Sequence, residues 1–392
     1  MERIGIFGGT FNPPHIGHIQ AAKEAARALE LDRVLLVPSC LTPHKSVPQG
    51  SATAQQRLDM LQLVAGEEPL LEVSDVEVRR GGVSYTYETV EALREQYPHA
   101  ELTLLVGSDM FVSLDRWKQA QRILDQASVA VFYRGAKGEK GAVEAQKAQL
   151  EANGYRVSLI GNPVVHISST QVRRLIAFQC ADPFLPEAVG DYIRQHDLYY
   201  CHADWKQLPM DQLEAVAVSL LNPNRVAHVL GCRDTAAELA KIWGVDENDA
   251  ARAGLLHDIT KALDGTLQLT LCREYGTILD AFSQKYPKTL HALTGSLVAE
   301  RIFGENPAVV AAIASHTTGK ANMNMLEKII YVADYMEPNR NFDGVEDLRH
   351  LAHTDMDGAL RYGLEMTLEH LKNQGAEVSP ASRDALACLN EK

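Results

Sequence analysis

Two sets of side chains in this 392-residue chain combine residue types and spacings that suit chemistry. The first lies in "GIFGGTFNPPHIGH", residues 5 to 18, where His15 and His18 follow a glycine pair. "RIGIF" is short, apolar and β-prone, and "HIQAAKEAARALE" reads as a helix. The histidines therefore fall at a strand–turn–helix junction, which aims backbone N–H groups and a helix N-terminus at an anion. Being three apart, they can share one side of the helix start, an arrangement that suits a phosphate chain. A second helix start follows in "ISSTQVRRLI", residues 167 to 176. There Ser168 or Ser169 can cap, Thr170 adds a hydroxyl, and Arg173 lies one turn in. Together these groups would hold a triphosphate and stabilise charge moving onto a pyrophosphate leaving group, with no covalent intermediate.

The second set is spread over the later chain. His257 and Asp258 adjoin in "AGLLHDITK", at the end of an apolar helix pattern. Neighbours on a regular helix diverge by about 100 degrees, so sharing one ion requires the helix to bend or end there. His228 lies in "NRVAHVLG", His291 in "HALTG", His316 in "ASHTTGK" and Asp334 in "IIYVADYMEPNR". A single histidine on an apolar face is more often a core residue than a ligand; the series across successive amphipathic helices is what favours ligation. Four histidines and two aspartates, with no thiolate, suit Fe, Mn or Zn, and exceed what one closed tetrahedral site needs. Two ions bridged by Asp258 fit the count, and such a pair activates water and clamps a phosphoryl oxygen. Lys261, one turn on, can neutralise a phosphate.

The elements that must position these groups differ between the halves. Up to about residue 200, "RIGIF", "RVLLVP", "LLEVSD", "ELTLLVG", "SVAVFYR" and "YRVSLI" read as strands, with helical patterns between most of them. That alternation predicts a parallel sheet covered on both faces, with ligands at the carboxyl ends of its strands. "RGAKGEKGAVEAQKAQLEANG" reads as a glycine- and lysine-rich loop and then a helix. From about residue 206 helical patterns dominate, so the domains are expected at 1–203 and 204–392.

Composition narrows the partners. A net charge of −13 opposes broad binding to nucleic acid or anionic membrane, yet allows a local basic pocket. No apolar stretch of about 18 residues appears, so no transmembrane helix is expected. The chain enters a strand at once, without a signal-peptide pattern. Its six cysteines are scattered, form no CxxC and are not spaced as zinc ligands. Reduced thiols and a cytoplasmic location are the expectation.

"GGTFNPPHIGH" with "ISSTQVR" resembles the nucleotidylyltransferase superfamily, with its HxGH and SSTxxR-type motifs. "FNPPHIGH", the "PHK" of "VPSCLTPHKS", "SYTYET", "LLVGSDM" and Trp117 resemble the bacterial nicotinate-nucleotide adenylyltransferase family. The likeness covers residues 1 to 200. Phosphopantetheine adenylyltransferases are shorter, and their first motif lacks the "NPPH" form. The resemblance implies that His15 and His18 contact the ATP phosphates and stabilise the transition state. It implies that Thr10, Lys45 and Arg173 help hold phosphates, with Gly8, Gly9, Phe11 and His44 in the same nucleotide-binding motifs. Ser168, Ser169 and Thr170 would lie at the second helix terminus, and Gly107 and Asp109 near the ribose or the metal-bound phosphates. Trp117 would stack on the pyridine ring, with its carboxylate near Thr86. The implied substrates are ATP and nicotinate mononucleotide, with Mg²⁺.

"RVAHVLG", "LLHDITK", "HTTGK" and "YVADYMEPNR" resemble the HD-domain metal-dependent phosphohydrolases, in particular bacterial proteins that split diadenosine tetraphosphate into two ADP. The likeness runs from about 207 to 375. It implies metal ligation by His228, His257, Asp258, His291, His316 and Asp334, a catalytic Lys261, two Fe or Mn ions and a dinucleoside polyphosphate substrate. The expected architecture is a Rossmann-like doubly wound parallel-sheet nucleotidylyltransferase domain followed by an all-helical HD domain. A ligand-sensing second domain is disfavoured because every ligand position is filled. Acidic charge also opposes a nuclease, and a mononucleotide phosphatase is the other rival. A homo-oligomer is compatible with the sequence. Cys40 and His166 are expected to be structural, and His350, His353 and His370 to lie on the surface.

Overall fold

The computed structural model describes residues 1–41, 50–133, 139–161 and 167–391. Two compact units divide the chain, Met1–His202 and Ala203–Lys392. In the first, β1 (Arg3–Gly9) leads to α1 (Ile16–Ala28), then β2 (Arg33–Pro38), α2 (Ala54–Glu67), β3 (Leu71–Val73), α3 (Val76–Arg80) and α4 (Thr86–Gln96). Next come β4 (Glu101–Gly107), α5 (Ser108–Phe111), α6 (Ala120–Leu124), β5 (Ser128–Tyr133), α7 (Glu139–Ala152), β6 (Val157–Gly161), α8 (Ser169–Ala177) and α9 (Glu187–Gln195). Residues 134–138 of the glycine- and lysine-rich loop lie outside the described residues.

All six strands pair in parallel, in the order β3-β2-β1-β4-β5-β6. Each strand segment read from the sequence is present. β2 and β4 are near-continuous apolar runs, as strands buried on both faces must be. Burying an Ile, Leu or Val side chain there contributes about 1.5–3 kcal/mol. α1 buries Ala21, Ala22, Ala25 and Ala26, small residues at helical spacing. β1 and β4 are sheet neighbours although far apart in sequence, so the order reverses between them. Ligands of such sheets bind beyond the carboxyl ends of the strands flanking this reversal, the end at which the loop before α1 and α5 begin.

In the second unit no strand forms among the described residues. Its helices are α10 (Met210–Leu220), α11 (Val226–Trp243), α12 (Glu247–Leu256), α13 (Gly265–Glu274) and α14 (Ala281–Lys285). They continue with α15 (His291–Arg301), α16 (Pro307–Ser315), α17 (Met325–Met336), α18 (Val345–Thr354), α19 (Met356–Asn373) and α20 (Pro380–Asn390). α17 is buried almost all round from Leu326 to Ala333, the mark of a central helix. α12 approaches α11 closely because Gly254 has no side chain. A Cβ there would lie 2.9 Å from the Arg233 Cα and 3.0 Å from the Cys232 carbonyl oxygen. That approach brings the end of α12 beside α11. Among the described residues no helix is long and apolar enough to cross a membrane.

Candidate functional site

In the first unit, α1 begins two residues earlier than its sequence pattern suggested, so His15 is its N-cap and His18 its third residue. Their rings stack with centroids 3.6 Å apart. The His15 backbone N–H donates to His18 Nδ1 (3.2 Å), which leaves Nε2 of a neutral His18 carrying the proton as a donor. Both ring nitrogens of His15 are buried and lack a hydrogen-bond partner among the described residues. Burial drives the His15 pKa down to about 3. Burial, and then the charge His15 would carry, hold His18 well below the ordinary value. The pair is thus neutral at pH 7 until an anion compensates the buried charge.

The loop between β1 and α1 is pinned from several directions. Arg57 on α2 donates to the carbonyls of Thr10 (2.6 Å) and Ser39 (2.7 Å). Arg173 on α8 donates to the Asn12 carbonyl (2.6 Å), and Ser169 to the Pro13 carbonyl (3.0 Å). The buried Tyr199 hydroxyl donates to Asn12 Oδ1 (2.7 Å). Ser168 caps α8, and Thr170 Oγ1 accepts from Arg173 Nη2 (3.1 Å). Phe11 is 1% exposed and sets its ring edge on His18, so only its backbone is left for a ligand. Gly8 is exposed, and Gly9 lies so close to the Phe11 ring that a Cβ would stand 3.1 Å from it. Arg173, expected to help hold phosphates, also holds through Nη1 the loop that carries the histidines. Arg57 and Tyr199 were not singled out because neither belongs to a local motif.

Other predicted positions lie near the β4 mouth. Gly107 caps α5, and a Cβ there would meet Asp109 Oδ1 at 2.7 Å, so the exposed Asp109 carboxylate folds over it. Thr86 opens α4. Trp117 is half-buried and packs against the sheet core. Lys118 beside it lies over the Tyr85 ring (3.8 Å), which ties this loop to the start of α4. His44, Lys45 and His166 lie outside the described residues.

The second unit gathers its six predicted ligands at one place. His257 is the C-cap of α12, so the helix ends where Asp258 begins, as the adjacent pair required. Asp258 Oδ2 lies 3.7 Å from His228 Nε2 and 3.6 Å from His257 Nε2. Its Oδ1 lies 3.5 Å from His291 Nε2 and 3.7 Å from His316 Nε2. Asp334 Oδ1 stands 3.2 Å from His228 Nε2 and 4.0 Å from His257 Nε2. Ligands that surround one ion at about 2.0–2.2 Å stand roughly 3–3.5 Å from each other.

Three tautomers follow from backbone contacts. Nδ1 of His257, His291 and His316 lies 2.7, 2.9 and 2.7 Å from the carbonyls of Gly254, Lys288 and Ile313. A carbonyl only accepts, so Nδ1 carries the proton and the Nε2 lone pair turns inward. Burial drives His257 down to about 4 and His291 to about 3, keeping both neutral. His257 Nε2 and Asp258 Oδ1 are buried and make no hydrogen bond among the described residues. Lone pairs facing carboxylate oxygens repel unless a cation lies between them, so this donor set fits a metal.

Several residues of this centre escaped the sequence reading. Cys232, one turn after His228 on α11, was not singled out; its Sγ lies close to His228, His257 and Asp334. Burial raises its pKa well above the ordinary value, so it remains a thiol. Glu337 Oε1 lies 3.1 Å from His228 Nδ1 and orients that ring. Thr317 Oγ1 lies 2.9 Å from His291 Nε2 and 3.1 Å from His316 Nε2. Arg225 pairs with Asp258 Oδ2, and Arg340 with Asp334 Oδ1 (2.6 Å). Lys261 Nζ donates to His291 Nε2 (2.7 Å). Arg225, Glu337 and Arg340 stand beside the motif histidine and aspartate in sequence, the one signal that pointed to them. His350, His353 and His370 are exposed, as expected.

Residues 6–175 match the cytidylyltransferase-like family, and residues 225–339 the HD domain. A probable nicotinate-nucleotide adenylyltransferase of Neisseria meningitidis is 36% identical over 201 residues, 51% of this chain and 99% of that protein. The one of Herpetosiphon aurantiacus is 37% identical over 201 residues, again 51% and 99%. A solved structure described as a predicted HD superfamily hydrolase involved in NAD metabolism, from Clostridium acetobutylicum, is 35% identical. It matches 47% of this chain and 98% of that one, with a TM-score of 0.46. Through its first half the chain belongs to the nicotinate-nucleotide adenylyltransferase family, and in its second half it carries an HD domain.

Proposed function

We propose that the chain is a bifunctional enzyme of NAD metabolism, with one activity in residues 1–203 and another in residues 204–392. The first transfers the adenylyl group of ATP to nicotinate mononucleotide, giving deamido-NAD and pyrophosphate. The observation that supports it is the stacked His15–His18 pair at the start of α1, beyond the carboxyl end of β1. A phosphate oxygen of nicotinate mononucleotide attacks the α-phosphorus of ATP, and pyrophosphate leaves. His18 donates from Nε2 to the phosphate chain, while Arg57, Arg173 and Tyr199 hold the loop that carries the histidines. Trp117 offers a ring face to the pyridine, and Thr86 the start of α4 to its carboxylate. Mg²⁺ enters with the triphosphate.

The second activity hydrolyses diadenosine tetraphosphate to two ADP: water oxygen bonds to an inner phosphorus, and the bridging oxygen leaves on the other ADP. The supporting observation is that the two oxygens of Asp258 face different histidine pairs. His228, His257, Asp334 and one Asp258 oxygen would hold one ion; His291, His316 and the other oxygen would hold the second. Such ions would polarise the phosphoryl oxygen and acidify the attacking water. The chain's own contribution is to keep each Nε2 deprotonated and to place Lys261 beside the site.

A crossed assay tests both readings. His18→Ala is expected to lower adenylyl transfer about a hundredfold and leave tetraphosphate cleavage intact. Asp258→Ala is expected to abolish cleavage and leave transfer intact. After removal of tightly bound metal, Mg²⁺ alone should restore the transferase, whereas the hydrolase should need Mn²⁺ or Fe²⁺. A folded Asp258→Ala protein that still cleaves would end the hydrolase reading; loss of both activities would end their independence.

A further inference from the structure

The histidine–aspartate centre has three cations that no metal-ligand role accounts for. We propose that Arg225, Arg340 and Lys261 form a polyphosphate-binding rim over this centre, gripping the phosphoryl groups that flank the one under attack. The inference rests on the hydrolase reading and adds to it the residues that hold the polyanion.

Position is the first argument. The Asp258 side chain is 2% exposed and that of Asp334 17%, whereas Arg225, Arg340 and Lys261 are 32%, 37% and 37% exposed. The three cations thus reach from solvent down to the buried ligands. They also come from separate segments: Arg225 just before α11, Lys261 in the turn after α12, and Arg340 beyond α17.

Competition for atoms is the second. Arg225 contacts Asp258 Oδ2, the oxygen that faces His228 and His257. Arg340 contacts Asp334 Oδ1, the oxygen that faces the same two rings. Lys261 donates to His291 Nε2. Each cation contacts an atom that an ion would use, so metal and side-chain cation compete for the same three atoms. Arg340 stays at the mouth, because its Nε is also held on the Asp334 carbonyl (2.7 Å). Arg225 has a spare donor as well: its buried Nε has no partner among the described residues.

Chemistry supplies the class of ligand. Two divalent ions plus three side-chain cations outweigh Asp258, Asp334 and Glu337, leaving a strongly positive mouth on an acidic protein. Planar guanidinium forks match pairs of phosphate oxygens, and a row of them matches consecutive phosphates better than a single phosphate monoester.

The test titrates inorganic tripolyphosphate into the full-length chain by calorimetry, with Mn²⁺-loaded and metal-free protein. With no free metal in solution, the binding that needs Mn²⁺ already held by the protein reports the rim; binding in the first unit, which the substitutions do not touch, is the internal reference. Arg225→Gln and Arg340→Gln should each weaken that component about tenfold or more, as expected for lost charge-assisted hydrogen bonds. Metal content should stay at the wild-type level, and Arg225→Lys should recover part of the loss. Unchanged affinity in both Gln variants overturns the proposal. So does a parallel fall in metal content and affinity, because the arginines would then be structural partners of the carboxylates. Arginine-dependent binding without cleavage of diadenosine tetraphosphate would keep the rim and reject that substrate. Cleavage at unchanged KM in both variants would do the reverse.

Discussion

Arg173 Nη1 donates to the carbonyl oxygen of Asn12 at 2.6 Å, joining positions 161 residues apart. That bond fixes the loop on which His15 and His18 stand. Arg173→Ala should therefore lower kcat for adenylyl transfer by about a hundredfold, since misplacing the histidines costs transition-state contacts. Ser169→Ala removes one neutral hydrogen bond to the Pro13 carbonyl and should cost about fivefold. Steady-state kinetics on both variants check this. A change in the KM for ATP alone, with kcat intact, would make Arg173 a phosphate ligand only.

Trp117 combines packing against the sheet core with a half-exposed ring. Trp117→Ala should raise the KM for nicotinate mononucleotide several-fold more than that for ATP, because stacking area is lost on one substrate. Trp117→Phe should recover most of the difference. Equal effects on both substrates would assign the ring to packing.

Glu337 is not among the predicted ligands, yet orients His228 through Nδ1. Glu337→Gln should weaken metal binding by about ten- to a hundredfold, the usual cost of losing such an outer partner. A chelator competition against the protein reads this directly, without any turnover assay.

The His15 pKa, held to about 3 by burial against an ordinary 6.5, predicts an acid-sensitive fold. Below about pH 6.5 the unfolded chain takes up a proton that the folded chain refuses, so stability falls as pH drops toward about 3. Above that window the contribution is complete. His15→Asn lacks the proton site. Its melting temperature relative to wild type should therefore shift in the variant's favour between about pH 7 and about pH 5. A constant gap across that range would show that His15 is not kept neutral by the fold.

The strands, most of the helices and the positions of both histidine sets were legible in the sequence, because apolar period, glycine turns and caps are local signals. "ELTLLVG" is a strand wherever it is placed, and "LLHD" ends a helix because an adjacent pair cannot share an ion on a straight one. What the tertiary structure decided lies in contacts between distant positions. Tyr199 reaches Asn12 across 187 residues, and Arg57 reaches Thr10 across 47; neither pairing has a period or a motif to betray it. Cys232 reads as one more apolar position on α11, and joins the ligand cluster only because α11, α12 and α17 pack together. The division of Asp258 between two histidine pairs depends on four helices, α11, α12, α15 and α16, converging to within a few ångströms. Side-chain chemistry is written residue by residue, but which lone pair faces which is set by packing, and packing belongs to the whole chain at once.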